Sequence, residues 1–312
     1  MIPVKKQAKL TLGGADELKN YGLTIRQIRL NKGYRQKEVY NEIITKSYAI
    51  EFEQGKHDIS LFLFMQILDR LRVDIDEFFY IHNEYHLQEE NDYINNFSHA
   101  ANRHDIQALE KMYQTQLHHT KPTALTLVRQ AELRLRIQSL TYFEHHKTFE
   151  NWQSNPKDIQ ILSSYLMDVQ SWTLQEILLF SNNADMFNQE QQIFFFKLLL
   201  KSLPHYRSYD RAVPIYGALL ANILPTLFRK QEWADISQAL DWLKELSKEF
   251  ISSFFRIMFI YYSGLFAICQ GDAIAGEKKV HWALNTLKIL DQADIAVELE
   301  AFFTTFKGQE NG

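Results

Sequence analysis

A chain of 312 residues that is 46% hydrophobic, with only 11 Gly and 6 Pro, can bury large cores and has too few breakers for a loop-rich β protein or long disorder. Its 34 Lys and Arg against 38 Asp and Glu exclude a generally basic protein, so any attraction for nucleic acid must be local. The single cysteine, Cys269, sits in the apolar run Leu265-Phe266-Ala267-Ile268-Cys269; it excludes an intrachain disulfide and is expected as a buried thiol in a reducing compartment.

Taken in chain order, residues 1–19 carry Lys5, Lys6, Lys9 and the pair Gly13-Gly14 and are expected to form a mobile basic arm. Residues 20–81 read as a five-helix helix-turn-helix domain. Leu23 to Arg29 form a first helix stopped by Gly33, Gln36 to Tyr40 a second, and Thr45 to Glu53 a third ended by Gly55. A helix enters the major groove only when short connections hold it steeply on a small core. Ile25, Ile28, Val39, Ile43, Ala49 and Phe52 are placed to supply that core, and Ala49 is small enough for close approach of the second and third helices. After Asp58-Ile59-Ser60, the residues Leu61, Phe64, Ile67, Leu68 and Leu71 recur at helical spacing, and Asp74 to Phe79 close the unit.

Charge points the same way. Residues 1–56 hold eleven Lys and Arg against six Asp and Glu, while the rest of the chain holds 23 against 32. Positive charge gathered on one helix-turn-helix suits a site-specific DNA binder. The expected phosphate contacts are Arg26, Arg29, Lys32, Arg35, Lys37, Lys46 and Lys56, with Gln36 at the head of the second helix. Thr45 is placed to cap the third helix, and Lys46, Ser47, Tyr48 and Ile50 to face base edges or nearby phosphates. A two-fold dimer is expected on double-stranded DNA, because one small domain buries too little surface for tight, specific binding.

Residues 82–105 turn polar around Gln88 to Asp92 and Asn95-Asn96, and read as a linker or an exposed connecting helix. Over 106–312, amphipathic helices follow one another between breaks at Lys121-Pro122, Asn155-Pro156, Asn182-Asn183, Leu203-Pro204, Lys230-Gln231 and Gly271-Asp272. This predicts an all-α chain whose second domain is a right-handed α-solenoid of tetratricopeptide-like helical hairpins. The clearest repeat runs from Tyr261-Tyr262-Ser263-Gly264-Leu265 through Gly271-Asp272 to Ala283-Leu284, with small residues where paired helices cross. A weaker copy runs from Asn222 through Glu232-Trp233 to Ala239-Leu240. A solenoid offers a groove suited to an extended peptide. The segment Ile295 to Phe306 reads either as a capping helix or as a dimer contact.

Within that domain Asn222 stands on an otherwise apolar helix, where its carboxamide would both donate to and accept from a peptide unit. Arg129 and Arg136, seven residues apart on one helical face, are candidates for a peptide carboxylate, and Tyr262 joins them. The alternatives are a hydrogen bond from Asn222 to a neighbouring helix and surface ion pairs for the arginines.

No catalytic constellation, phosphate loop or metal helix is present in the sequence, so no enzyme activity and no cofactor are expected. The pairs His118-His119 and His145-His146, the second beside Glu144, point apart on a helix and do not make a metal site. Their residual role would be pH sensing. There is no uninterrupted run of 18 apolar residues and no apolar signal core near the start, which predicts a cytoplasmic location without a membrane.

These residues resemble the Rgg family of peptide-responsive transcription regulators over nearly the whole chain. The resemblance rests on Phe52 to Ser60, Ile67 to Leu71 and Ile75 to Phe78, and on Tyr165-Leu166 through Trp172 to Phe180. It implies a homodimeric cytoplasmic regulator whose repeat domain binds a short signalling peptide in quorum sensing, and it places Asn222 where relatives of this architecture use an asparagine on the peptide backbone. The chain departs from the family in two ways: Ile50-Glu51 stands where a basic or polar pair is usual in the recognition helix, and Arg35 stands where a Thr or Ser cap is usual; the helix-turn-helix domain also lacks the cysteine that some members carry. A second reading, a helical protein-binding scaffold whose helix-turn-helix serves dimerisation or partner capture, is discriminated by sequence-specific DNA retention.

Overall fold

The computed structural model describes residues 20–87, 89–118, 121–149, 151–206 and 209–310. The basic arm expected over 1–19 and the histidine at 119 lie outside the described residues. Among the described residues the chain is all-α, with no strand, and it divides into two compact units, Met1–Phe97 and Ser98–Gly312.

The first unit holds α1 (Tyr21–Asn31), α2 (Gln36–Tyr40), α3 (Lys46–Glu53), α4 (Leu61–Leu71) and α5 (Ile75–His82). Its core is Ile25, Ile28, Val39, Ala49, Phe52, Ile67, Leu68, Leu71 and Phe78, all nearly solvent-free, with Ile43 packed partly buried against it. Each entry is fixed by a short polar side chain. Asn20, Thr45 and Ser60 accept from the backbone N–H groups of Gly22, Tyr48 and Leu63 and so satisfy donors that a helix leaves open at its start. Arg35 cannot cap α2 in this way, and the Glu38 carboxylate instead takes the Arg35 backbone N–H at 2.6 Å. α6 (Glu89–Asn102) occupies the polar stretch expected to be a linker, and the division between the units falls inside it.

The second unit contains α7 (Ile106–Leu117), α8 (Ala124–His146), α9 (Pro156–Asp168), α10 (Leu174–Asn183), α11 (Gln189–Leu199), α12 (Ala212–Arg229), α13 (Trp233–Leu246), α14 (Ser253–Cys269), α15 (Ala273–Ile289) and α16 (Ala293–Glu310). Short 3-10 turns at Ala184–Met186, Leu203–Tyr206 and Phe250–Ser252 join some of them. Neighbours in sequence are neighbours in space, α7 on α8, α12 on α13, α14 on α15 and α15 on α16, as stacked hairpins require. The hairpin turns share one device. His104, Gln231, Gly271 and Asp291 are left-handed, and the next residue's N–H, on Asp105, Glu232, Asp272 and Gln292, returns to a carbonyl five residues earlier.

Every break anticipated in this half coincides with a helix boundary or a 3-10 turn. Two stretches, Ala212–Arg229 and Phe250–Cys269, are long and apolar enough by composition to cross a membrane. For α12 the fold explains the composition: α10, α11, α13 and α14 all pack on it, as a core helix needs. One face of α16 is buried through Ala296, Leu299, Phe303 and Phe306, and the Tyr261 hydroxyl donates to the Leu299 carbonyl at 2.7 Å. Cys269 is half-buried rather than fully buried, a correction that follows from its place at the last turn of α14.

Candidate nucleic-acid interface and helical-repeat site

Helix α3 is oriented by a buried polar network. Arg29 of α1 forks onto Glu53 of α3, Nε to Oε1 at 2.6 Å and Nη2 to Oε2 at 2.8 Å. Gln36 and Tyr40 of α2 donate to the same carboxylate at 2.8 and 2.7 Å, and Arg29 Nη1 reaches the Tyr34 carbonyl. One carboxylate therefore ties all three helices. Burial pushes the Glu53 carboxyl up, but hydrogen bonds from Arg29, Gln36 and Tyr40 outweigh it and hold the group below the usual carboxylate range. The hydrogen bond to Glu53 raises Arg29 further, and burial raises Tyr40. Arg29 is accordingly structural, which corrects its reading as a phosphate contact: at 7% exposure its guanidinium is spent inside the unit. Gln36 is half-buried, with its amide N–H committed to Glu53.

A second lock was missed. The Asn20 amide donates to the Gly55 carbonyl at 3.0 Å, and Gly22 lies so close to the end of α3 that a Cβ there would stand 1.8 Å from the Phe52 oxygen. The asparagine-to-glycine spacing at the start of α1 was the available signal, and it is legible as a cap rather than as an interhelix contact.

Around this frame Arg26, Arg35, Lys37, Lys46, Ser47 and Lys56 are exposed, and the five cations make no ion pair among the described residues. Tyr48 and Ile50 are half-buried. The Tyr48 hydroxyl donates to the Asp58 carbonyl at 2.8 Å and its ring stacks on His57, so this side chain braces the loop after α3.

In the second unit the four expected peptide contacts separate. Tyr262 is 1% exposed and packed on Phe228 and Tyr261; burial pushes its phenol up. It is a core residue, and its reading as a peptide contact is corrected. Arg129 is buried in α8. Arg136 is held by Asp185 in a bidentate pair at 2.8 Å and donates to the Asn182 carbonyl at 2.7 Å, so its charge is already answered. Asn222 is exposed, with Leu219, Leu220, Ile223 and Leu224 turned into the core beside it. The cost of burying it does not arise, and it makes no side-chain hydrogen bond among the described residues. His118, His145 and His146 are exposed, His146 stacking on Tyr142, and no group of metal-ligating side chains occurs among the described residues.

Residues 25–78 match the helix-turn-helix family, and residues 106–301 match the family described as HTH-type transcriptional regulator Rgg, C-terminal domain. The chain belongs to the Rgg family. It is thus a helix-turn-helix transcription regulator and not an enzyme. A Listeria monocytogenes EGD-e protein described as a transcriptional regulator is similar to this Rgg chain at 34% identity and a TM-score of 0.81, over 94% of this chain and 98% of that one. The Streptococcus dysgalactiae SHP pheromone receptor Rgg2 has the same fold, at 18% identity and a TM-score of 0.73, over 91% of this chain and 99% of the receptor. PrgX in complex with cCF10 also shares it, at 18% identity and a TM-score of 0.66, over 91% of this chain and 99% of PrgX.

Proposed function

We propose that this Rgg regulator is a cytoplasmic homodimer that binds a DNA operator through α3 and is switched by a short signalling peptide held in its helical-repeat domain. The observation that carries the reading is the pairing, in one chain, of a helix-turn-helix unit with an Rgg C-terminal domain, the arrangement shared with the pheromone receptor Rgg2 and with PrgX bound to cCF10. The working division is 1–19 as arm, 20–81 as DNA-binding domain, 82–105 as connector and 106–312 as peptide-binding and dimerisation domain. The two family matches fall inside the second and fourth of these.

Lys46, Ser47 and Ile50 on α3, with Thr45 at its capped start, are assigned to the groove; Arg26, Arg35, Lys37 and Lys56 are assigned to phosphates. Gln36 and Tyr48 contribute through whatever their commitments to Glu53 and Asp58 leave free. Lys37→Ala should weaken binding to all sequences alike and lower the salt dependence by about one phosphate contact, whereas Ile50→Ala should act on the selected operator alone. Fluorescence anisotropy on selected and scrambled duplexes reads both. Equal loss on the two duplexes for Ile50→Ala would remove α3 from base reading.

Asn222 carries the peptide assignment, because it is exposed and its carboxamide is free to pair with a peptide backbone. Arg136 takes part only if the peptide displaces Asp185, and Arg129 only if α8 rearranges. By calorimetry with the peptide recovered from the native host, Asn222→Ala should lose about tenfold or more in affinity, roughly 1.4 kcal/mol or more. The melting temperature should stay unchanged. A lowered melting temperature with unaltered affinity would make Asn222 structural and move the peptide elsewhere.

A further inference from the structure

Helix α3 carries two carboxylates, and the fold sends them in opposite directions. Glu53 turns inward to Arg29, Gln36 and Tyr40, whereas the Glu51 side chain keeps 47% of its surface exposed. At about 100° per residue, with Ala49, Phe52 and Glu53 buried, the positions most nearly opposite the core are Ser47 and Glu51. Ile50 and Tyr48 fall on the two flanks, which is why both are half-buried. The middle of the outward face therefore holds a carboxylate.

That carboxylate is fixed in place. Gly55 is left-handed at φ 76°, the Lys56 N–H returns to the Glu51 carbonyl at 2.9 Å, and the turn brings His57 Nε2 to 3.1 Å from Glu51 Oε2. The His57 ring stacks on Tyr48 with centroids 5.6 Å apart, and the Tyr48 hydroxyl is anchored on the Asp58 carbonyl at 2.8 Å. Glu51 Oε1 accepts no hydrogen bond among the described residues.

Charge limits what such a group can meet. Lys46 opens α3 and Lys56 follows it, both exposed, so phosphates gather around this helix, and a carboxylate among phosphates is repelled. Its place there is favourable only against a hydrogen-bond donor. In the major groove guanine and thymine offer it acceptors only, adenine sets the N7 acceptor beside its amino group, and cytosine offers the N4 amino group alone.

We infer that Glu51 is a base-reading residue that accepts from the N4 amino group of a cytosine at one position of each operator half-site, with His57 as the residue that positions it. The inference rests on the assignment of α3 to the groove and adds the base that one side chain selects.

The test selects duplexes from a random pool with the full chain, then measures affinity by fluorescence anisotropy with one base pair changed at a time. A cytosine should dominate at one position of the half-site, and replacing it with thymine should weaken the wild-type protein about tenfold. Glu51→Ala should lose that difference, keep the preferences at other positions, and bind scrambled duplexes more tightly, because a negative charge has left the neighbourhood of the phosphates. Glu51→Gln should move the preference at that position to adenine, whose N6 and N7 pair with a carboxamide. Both variants should melt close to wild type, since the side chain lies outside the core. His57→Phe, which keeps a ring against Tyr48 without the nitrogen, should reduce the cytosine preference at that position only. A cytosine preference that survives intact in Glu51→Ala overturns the inference, and one that survives intact in His57→Phe overturns the positioning role. If Glu51→Ala changes no position while Ile50→Ala changes one, α3 stays in the groove and the inference fails by itself. If neither variant changes any position, the groove assignment fails with it.

Discussion

Glu53 decides more at the DNA-binding end than any exposed cation, because its carboxylate, carried on α3, accepts from both α1 and α2 at once. Removing one partner strands a charge in the interior, so Arg29→Ala or Glu53→Ala should cost about 3 kcal/mol or more, while a paired apolar replacement such as Arg29→Met with Glu53→Leu should recover most of it. Hydrogen exchange of α1 to α3 reads the loss locally. The same network sets an acid limit. The Glu53 carboxyl is lowered in the folded state, so its contribution is full above the unfolded carboxylate pKa of about 4.3 and disappears as pH falls from there through the lower folded value. Specific DNA retention should therefore fade on acidification below about pH 4.3, with a flatter acid limb in Glu53→Gln. A wild-type acid limb identical to that of the variant would sink the assignment.

At the scale of elements, the α14–α15 hairpin shows how small residues set packing. A Cβ on Gly264 would stand 2.7 Å from the Gly276 carbonyl oxygen, and one on Gly276 would stand 2.6 Å from the Gly264 oxygen. The two backbones meet where no side chain fits, so Gly264→Ala should cost about 1 to 3 kcal/mol through forced separation of the helices. Thermal unfolding checks this, and an unchanged midpoint would mean that the hairpin opens freely. Gly264 was legible from the repeat pattern. Gly276 was not, because nothing in a lone Ala-Gly pair inside a helix says which neighbour it meets. The α9–α10 break likewise had a written signal, since Thr173 and Glu176 form a reciprocal cap with the Thr173 N–H on the Glu176 carboxylate at 2.8 Å.

Over the whole molecule, charge and function divide along the chain. The exposed cations Arg26, Arg35, Lys37, Lys46 and Lys56 gather in the first unit, while residues 57–312 are acidic on balance. Operator affinity should fall steeply with salt, because phosphate neutralisation releases counterions. The homodimer is checked by light scattering: a two-fold particle at micromolar concentration is expected, and a monomer with and without operator would leave a single half-site and defeat the reading.

Local chemistry wrote much of this in one dimension. Caps such as Thr45 and Ser60, stops such as Gly33, Gly55 and Gly271, and apolar spacing in α1, α3 and α4 depend on residues a few positions apart, so the five-helix unit and the run of hairpins could be read directly. Which polar groups face inward could not. Arg29 and Lys46 are equivalent as letters, and only the approach of Glu53 from another helix sends one inside while the other stays in water. Tyr262 and Asn222 were read as neighbours of a peptide by type, but the stacking of hairpins buries the first and exposes the second. A cleft beside α9 belongs wholly to this second class, since its walls come from segments up to about forty residues apart and exist only once the helices pack.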